Sequence, residues 1–380
     1  MSAHYNNVKN KGKGGRFMRK SYLDNLRWVT VVLVVIYHVF YMYNGQGVQG
    51  TLGKITNLEV QYYDIYQYIV YPWFMLLLFI ISGASARYAL EKRTGKEFIK
   101  SRTTKLLVPV TVGLIAFQFI QGYINISFSG VTDNPDMPLV GKVIACILSG
   151  IGVLWYLQML WIFSLVIVLI KKIDKDRFWN VCRKTPFWVL ILIAALIYGA
   201  GQILNTPVIV TYRFGLYFLG FLLGYFVFSH DEVIEVTKKY FWLFAVIAVG
   251  LCIAFCIVYF GQNYADNPVY RSPLFLLYAW FGSLAMIGGF AKFFDFSNNF
   301  TKWMSSHSWG LYIFHYLGIS AVALYLAKPG LVPAWAAYLL STVAGFALSY
   351  VLYFIISRIP VYRWAVLGIT KKKEKKNVQG

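Results

Sequence analysis

Ten stretches of apolar residues dominate this 380-residue sequence. A helix needs about 20 residues to cross about 30 Å of hydrocarbon, and most of the stretches approach or exceed that length. Only 13% of the residues are charged, where a soluble domain usually has about a quarter. The sequence therefore predicts an all-α integral membrane protein, a single bundle of about ten transmembrane helices. The predicted segments are about 27–44, 67–90, 104–124, 151–170, 187–204, 209–229, 241–261, 272–291, 308–328 and 333–357.

The positive charge follows the same segmentation. The net charge is +21, which in a soluble protein would suggest nucleic acid. Of the 36 Lys and Arg residues, however, 30 lie in the two tails and in four alternate loops. Cytoplasmic loops of membrane proteins carry this excess of basic residues. We therefore expect no nucleic-acid partner, and we predict that the N- and C-termini are both cytoplasmic.

The basic tails frame one membrane domain. Residues 1–21 are Gly-rich and basic, which predicts a disordered cytoplasmic tail. Residues 22–360 form the membrane domain, and 361–380 a second basic cytoplasmic tail. Both tails suit the anionic headgroups of membrane lipids. The stretch 138–149 is too short to span and predicts an interfacial or re-entrant piece. No small-residue cleavage site follows the first apolar run, which indicates a retained helix.

Ionisable groups inside apolar segments are costly and by default mark function. No Asp or Glu lies deep in any of the ten segments, which argues against a proton-coupled pump. No metal-ligand cluster and no Gly-rich phosphate loop is present, and the four cysteines lack disulfide or metal spacing. We therefore expect neither a metal nor a bound cofactor. The notable groups are Arg27, His38, Arg87, Arg213 and His315.

Arg27 and His38 are eleven positions apart on the first helix. At about 100° per residue they share one face, and they are separated by about 16 Å along the axis. Asp24 precedes Arg27 by three residues, a spacing at which a carboxylate can hold a guanidinium. An equally good explanation is that Arg27 anchors the helix at the cytoplasmic face and that His38 is hydrogen-bonded by a neighbouring helix. Spacing alone does not separate the two interpretations.

The stretch YLDNLR at 22–27, followed by ten residues and His38, resembles the opening of the acyltransferase-3 family of membrane acyltransferases. Members carry an Arg and a His separated by ten residues on the first helix. Five further stretches resemble the family in order, at 79–83 (FIISG), 98–109, 154–157 (LWYL), 213–224 and 308–315. Two positions depart from its pattern: Lys105 replaces the usual second arginine before helix three, and Val153 replaces a polar residue.

The resemblance implies an enzyme that transfers a short acyl group, acetyl or succinyl, from cytoplasmic acyl-CoA to a hydroxyl of an extracytoplasmic glycan or glycolipid. It also implies a multi-pass protein of a bacterial plasma membrane. Some relatives have a fused extracytoplasmic domain that completes the transfer. We expect either that this chain finishes the transfer itself or that a separate extracytoplasmic partner does so.

The resemblance also suggests roles for individual residues. His38 is the expected catalytic base, or alternatively carries the acyl group, and Arg27, on the same helix face toward the cytoplasmic end, is the second expected catalytic residue. Arg102 and Lys105, with Arg87, would bind the phosphates of acyl-CoA, although the bias of cytoplasmic loops explains the first two equally well. His315 is predicted about 10 Å from the cytoplasmic end of the ninth helix. The residues that would bind the acceptor or line the path of the acyl group are Trp155, Tyr156, Arg213, Tyr312 and His315. The alternatives are interfacial packing of Trp155 and Tyr156, snorkelling of Arg213 and helix bracing by His315 with Tyr312.

Two functions of other classes compete with acyl transfer. A transporter or flippase of a glycan or lipid precursor would show internal pseudo-symmetry and helices broken at mid-membrane. The sequence displays neither feature. A sensor or scaffold would tolerate the loss of His38.

Overall fold

A computed structural model describes residues 20–48, 50–205 and 212–370. The all-α prediction is confirmed, since these residues form helices and no named strand. The α-helices are α1 Ser21–Met42, α2 Ile65–Glu91, α3 Gly95–Arg102, α4 Phe119–Phe128, α5 Leu139–Ser149, α6 Trp155–Asp174, α7 Arg177–Cys182, α8 Phe187–Gln202, α9 Phe214–Phe226, α10 Asp231–Lys239, α11 Phe241–Tyr259, α12 Pro273–Phe293, α13 Asn299–Val322, α14 Ala334–Ile356 and α15 Pro360–Leu367.

The number of membrane crossings depends on how interrupted helices are counted. Among the described residues, 7 helices are long and apolar enough to span, or 8 if α9 and α10, bent by 108°, count as one. Three shorter apolar helices add to these: 114–128, α5 and α8. Each of the ten predicted segments coincides with helix over the residues described, so the helical stretches were predicted correctly, and the number of about ten spans stays a prediction.

The third predicted span is the most irregular. Between α3 and α4 the chain makes two π-helical turns, Thr103–Leu107 and Leu114–Gln118, separated by turn residues. Pro109 lies between them. A proline has no N–H to donate and its ring clashes with the carbonyl four residues earlier, which disfavours regular α-helix at this point. The wider π turn accommodates the break, with the N–H of Val108 donating to Thr103 O at 3.1 Å.

A separate short helix precedes the fourth predicted span, and α6 itself is unbroken from Trp155 to Asp174. The short helix α5 packs directly on α4: a Cβ on Gly122 would lie 1.6 Å from Cys146 O, and one on Gly150 would lie 2.4 Å from Gln118 O. Only glycine permits such close backbone approach. The chain then turns through residues 150–154 into α6. The stretch predicted as interfacial or re-entrant is therefore a helix that ends against the broken third span.

The two ends of the bundle lie on the same side. Helices α1 and α13 run in parallel, because Trp28 packs on Phe300 near their starts and His38 on His315 further along. Helix α14 runs antiparallel to α13, since Tyr353 packs on His307. The start of α1 and the end of α14 thus share one face of the molecule. We call it the basic side, and the sequence predicts that it is cytoplasmic.

Both predicted tails lie partly outside the described residues, which exclude 1–19 and 371–380. The described part of the second stretch is folded: α15 follows α14 after a short turn, and Ala365, Val366 and Leu367 are buried against the bundle.

Candidate functional site

Two histidines from different helices meet inside the bundle. His38 Nδ1 lies 3.2 Å from His315 Nε2. The expected depth of His315, about 10 Å from the helix end, is corrected: α13 begins at Asn299, with Asn298 and Thr301 forming a capping box. His315 is therefore about 24 Å from the start of α13, and His38 about 26 Å from the start of α1. The two imidazoles lie at the same depth.

Carbonyl groups assign the protons of this pair. His315 Nδ1 faces Leu311 O at 3.0 Å and Tyr312 O at 2.9 Å. A carbonyl only accepts, so Nδ1 of His315 carries the hydrogen and its Nε2 accepts. His38 Nδ1 then has two acceptors, Val34 O at 2.8 Å and His315 Nε2, and must be the donor. This arrangement leaves the lone pair of His38 on Nε2.

Burial and aromatic packing differ between the two histidines. His315 is fully buried, whereas His38 is half-buried. The rings of Tyr37, Tyr41 and Tyr316 surround His38 at centroid distances of 5.1, 5.7 and 5.3 Å. His38 is thus the accessible member of the pair, and His315 lies behind it.

The loop after α1 closes over the two histidines. The hydroxyl of Tyr316 donates to Gly50 O at 3.0 Å. The loop is held by the buried carboxylate of Asp64, which accepts from Gly45 N at 2.9 Å and from Gln46 Nε2 at 2.7 Å. The side of His38 facing away from the basic side is therefore covered by an ordered turn of this loop.

Arg27 lies on the same face of α1 as His38, as the spacing predicts, but the two side chains are not in contact. Its guanidinium donates to Asp24 at 3.1 Å and to Ser85 Oγ on α2 at 2.8 Å. About 16 Å along the helix separate Arg27 from His38. Arg27 belongs to the basic side of the site.

A group of cations forms around the start of the third span. Arg102 ends α3, Lys105 lies in the first π turn, and Arg27 and Arg93 face them. Burial lowers the pKa of Arg102, and the positive charges of Arg27 and Arg93 lower it further. Among the described residues neither Arg102 nor Lys105 has an ion pair. We call Arg27, Arg93, Arg102 and Lys105 the basic mouth. Arg27 is paired with Asp24, but the charges of Arg102 and Lys105 suit an anionic ligand.

Arg87 is not part of the basic mouth. It is buried and forms ion pairs with Glu91 at 3.1 Å and with Asp176. Its guanidinium also lies 3.8 Å from the ring centroid of Trp179. These contacts join α2 to the loop before α7, and two carboxylates already balance its charge.

Polar aromatic residues connect the basic mouth to the histidines. Tyr156, at the start of α6, shares a hydrogen bond of 2.7 Å with Ser82. Its ring packs on that of Tyr312 at 5.8 Å, and Tyr312 lies 6.3 Å from His315. Tyr312 also donates to Val153 O in the break between α5 and α6. Tyr156 and Tyr312 therefore form a line of packed polar side chains toward His315, which we call the route.

Trp155 and Arg213 occupy positions beside this route. The ring of Trp155 packs on Phe79 and Tyr217. Arg213 precedes α9 and is 2% exposed, donating to Tyr71 Oη at 2.7 Å and to Ala265 O at 3.1 Å. Tyr71 stacks on Tyr37, the ring next to His38. Arg213 is thus linked to His38 through two rings and does not contact it.

Several residues of the site were not singled out from the sequence. Ser82 and Ser85 lie on one side of α2 and contact Tyr156 and Arg27; Ser82 belongs to the FIISG stretch, which was a usable signal. Tyr41 and Tyr316 flank His38 without any local sign in the sequence. In the described ranges no group of three or more His, Cys, Asp or Glu residues has the geometry to hold a metal ion.

Comparison with known proteins agrees with this geometry. The family model Acyl_transf_3, described as an acyltransferase domain, matches residues 20–354. No curated protein and no solved structure gives a significant match. The matched range contains the histidine pair, the basic mouth and the aromatic residues between them. The chain is therefore a member of the acyltransferase-3 family, a multi-pass membrane acyltransferase.

Proposed function

We propose that this acyltransferase moves a short acyl group, acetyl or succinyl, from acyl-CoA at the basic side to a hydroxyl of a glycan or glycolipid at the opposite side. The observation that carries the proposal is the polar route through the bundle. It begins at the basic mouth, passes Ser82, Tyr156 and Tyr312, and ends at the His38–His315 pair.

The basic mouth is the proposed donor site. The phosphates of acyl-CoA are strongly anionic, and guanidinium groups bind phosphate through paired, charge-assisted hydrogen bonds. Arg102 and Lys105 have no carboxylate to displace among the described residues, so the ligand would relieve their mutual repulsion. Arg87 was expected to assist them, but its two carboxylates favour a bracing role.

His38 is the proposed catalytic residue. Its Nε2 lone pair takes the proton from the acceptor hydroxyl, the hydroxyl oxygen attacks the thioester carbonyl, and the carbon–sulfur bond breaks. The CoA thiolate then recovers the proton from the imidazolium. The same lone pair would serve if the acyl group passed first onto His38. In both routes His315 is a positioning residue that keeps the hydrogen of His38 on Nδ1.

The proposed acceptor site lies beside His38, under the loop that is bonded to Tyr316. Tyr41 and Tyr316 flank the imidazole there, and aromatic rings with hydroxyl groups suit the apolar faces and hydroxyls of a sugar. Trp155 and Arg213 were also expected to contact the acceptor. Their packing beside the route favours a structural role for both.

Interrupted helices were the expected mark of the alternative function, a transporter, and among the described residues the third predicted span is broken by π turns and α9 is bent by 108° from α10. The first π turn carries Lys105 of the basic mouth, which gives that interruption a place in donor binding. The family match favours acyl chemistry over transport.

The decisive experiment substitutes His38 by glutamine in the purified protein. Glutamine can hydrogen-bond but cannot take a proton, so we expect the transfer rate to fall by about 10²–10⁴, the usual contribution of acid–base catalysis. Binding of coenzyme A should be unchanged, because His38 is distant from the basic mouth. A folded His38→Gln variant that retains more than about half of the turnover would make the histidine structural.

A further inference from the structure

The chain does not leave the bundle after its last long helix. Helix α15 turns back, and Ala365, Val366 and Leu367 are 3%, 1% and 0% exposed. The indole N–H of Trp309 on α13 donates to Leu367 O at 3.0 Å. A Cβ on Gly113 would lie 2.9 Å from Ala365 O. The segment is therefore inserted between α13 and the broken third span.

Gly368 makes the closest contact. Its φ is +61°, the left-handed region that favours glycine. A Cβ at this position would lie 2.3 Å from Thr104 O and 2.7 Å from Lys105 Cα. The backbone of Gly368 thus packs directly on the backbone of the first π turn. This turn contains Lys105 and directly follows Arg102, two cations of the basic mouth.

The break in the third span explains why a contact forms here. In the first π turn the N–H of Val108 donates to Thr103 O. The next bond in that register would reach Thr104 O from residue 109, which is a proline without an N–H. The carbonyl of Thr104 therefore receives no hydrogen bond from residue 109, and the C-terminal segment packs against it.

We propose that residues 360–368 are a brace that sets the position of Arg102 and Lys105, with Gly368 as its positioning residue. This inference rests on the proposed donor site. A span interrupted at 103–118 cannot hold its own first turn rigidly, because the interruption removes ladder hydrogen bonds. The brace supplies a second support, and it does so through backbone contacts that carry no charge.

A brace of this kind affects binding more than chemistry. Misplacing the two cations weakens their contacts with the phosphates of the donor. The His38–His315 pair lies on α1 and on α13 beyond Trp309, away from the first π turn, and we expect it to keep its geometry. Loss of the brace should therefore raise the Kd for coenzyme A and the KM for acyl-CoA while leaving kcat nearly unchanged.

The test compares two glycine substitutions in the full-length protein. In Gly368→Ala the alanine would be held at a positive φ that strains it, and its Cβ would collide with Thr104 O. Gly330→Ala is the matched control, since Gly330 has φ +73° and nothing within 4 Å of its Cβ. We expect Gly368→Ala to weaken binding of coenzyme A about tenfold, equivalent to about 1.4 kcal/mol, and Gly330→Ala to leave it unchanged. Equal affinities in the two variants would overturn the brace.

Two further variants separate the effect of the brace from a general loss of stability and from the charge of the C-terminal lysines. Trp309→Phe removes the hydrogen bond to Leu367 and should also weaken coenzyme A binding. It replaces Gly368→Ala as the test of the brace if that variant proves unstable. A chain that stops after Thr370 lacks the lysines of 371–376 but keeps the brace, so its affinity should be retained at physiological salt. Because Gly368→Ala keeps all of these lysines, a tenfold loss in that variant beside a retained affinity in the truncation assigns the effect to the brace.

Arg102→Ala distinguishes failure of the brace from failure of the donor site. We expect it to weaken coenzyme A binding at least as much as Gly368→Ala. If Arg102→Ala weakens binding and Gly368→Ala does not, the donor site stands and the brace is wrong. If neither substitution has an effect, the donor site itself is misplaced and the brace fails with it.

Discussion

At the scale of single residues, the site depends on one hydrogen-bond direction. The carbonyls of Leu311, Tyr312 and Val34 place the hydrogen of both imidazoles on Nδ1 and leave the lone pair of His38 on Nε2. A neutral imidazole has two tautomers of similar energy, and only one of them leaves Nε2 basic. If His38 is the base, as we propose, its basic nitrogen is selected by Val34 on its own helix and by His315, 277 positions away.

This dependence predicts a specific response to His315→Gln. Without the imidazole acceptor, His38 loses part of its preference for the productive tautomer, and we expect kcat to fall by about 10–100-fold, as is common for groups that orient a catalytic residue. Coenzyme A binding should be unaffected. The measurement is steady-state turnover in detergent or nanodiscs, with stability checked by thermal unfolding.

A double substitution provides the control for a merely structural role. If His315 acts through His38, the His38→Gln, His315→Gln pair should be no slower than His38→Gln alone. Additive losses in the two single variants would show that His315 contributes separately, and the relay assigned to the pair would have to be abandoned.

At the scale of helices, the route depends on close contacts between backbones. Helices α2 and α9 run in parallel and touch at glycines: a Cβ on Gly83 would lie 1.9 Å from Phe221 O, and one on Gly224 would lie 1.9 Å from Ile80 O. Small residues allow membrane helices to approach in this way. Ser82 and Ser85, which contact Tyr156 and Arg27, lie on the same stretch of α2.

We expect Gly224→Ala to destabilise the protein by at least about 2 kcal/mol, because the added methyl group meets a backbone carbonyl that cannot move alone. Gly250→Ala on α11 is the matched control, since nothing lies within 4 Å of its Cβ. Thermal unfolding of the two purified variants provides the comparison. Equal stabilities would mean that α2 and α9 separate easily and that their contact does not fix the route.

At the scale of the whole molecule, the function requires the two sides to be distinct. The start of α1 and the end of α14 lie on one side with the basic mouth, and the loop that covers His38 lies on the other. The distribution of Lys and Arg predicts that the first of these sides is cytoplasmic. Acyl-CoA, a cytoplasmic metabolite, would then meet the basic mouth directly.

Cysteine labelling tests this orientation. In a variant whose four native cysteines are replaced, a cysteine in either tail should resist an impermeant thiol reagent in intact cells. A cysteine at Asn57, in the loop after α1, should react under the same conditions. Labelling of the tails in sealed cells would reverse the orientation and move the donor to the other side.

The sequence by itself determined the properties to which each residue contributes independently of its distant partners. Each apolar stretch is read independently, because transfer of a residue into lipid depends mainly on that residue, and all ten stretches proved helical. The shared face of Arg27 and His38 follows from the helical repeat alone. Order and spacing of short motifs also sufficed to indicate the family that the match over 20–354 establishes.

Tertiary structure decided everything that depends on partners from distant segments. Arg87 and Arg102 look alike in the sequence, but Asp176 lies against the first and no carboxylate faces the second among the described residues. The depth of His315 depended on where α13 begins, and its contact with His38 on how α1 and α13 pack. Hydrophobicity and period specify which residues enter the membrane and on which helix face, whereas helix packing alone decides which of those faces meet.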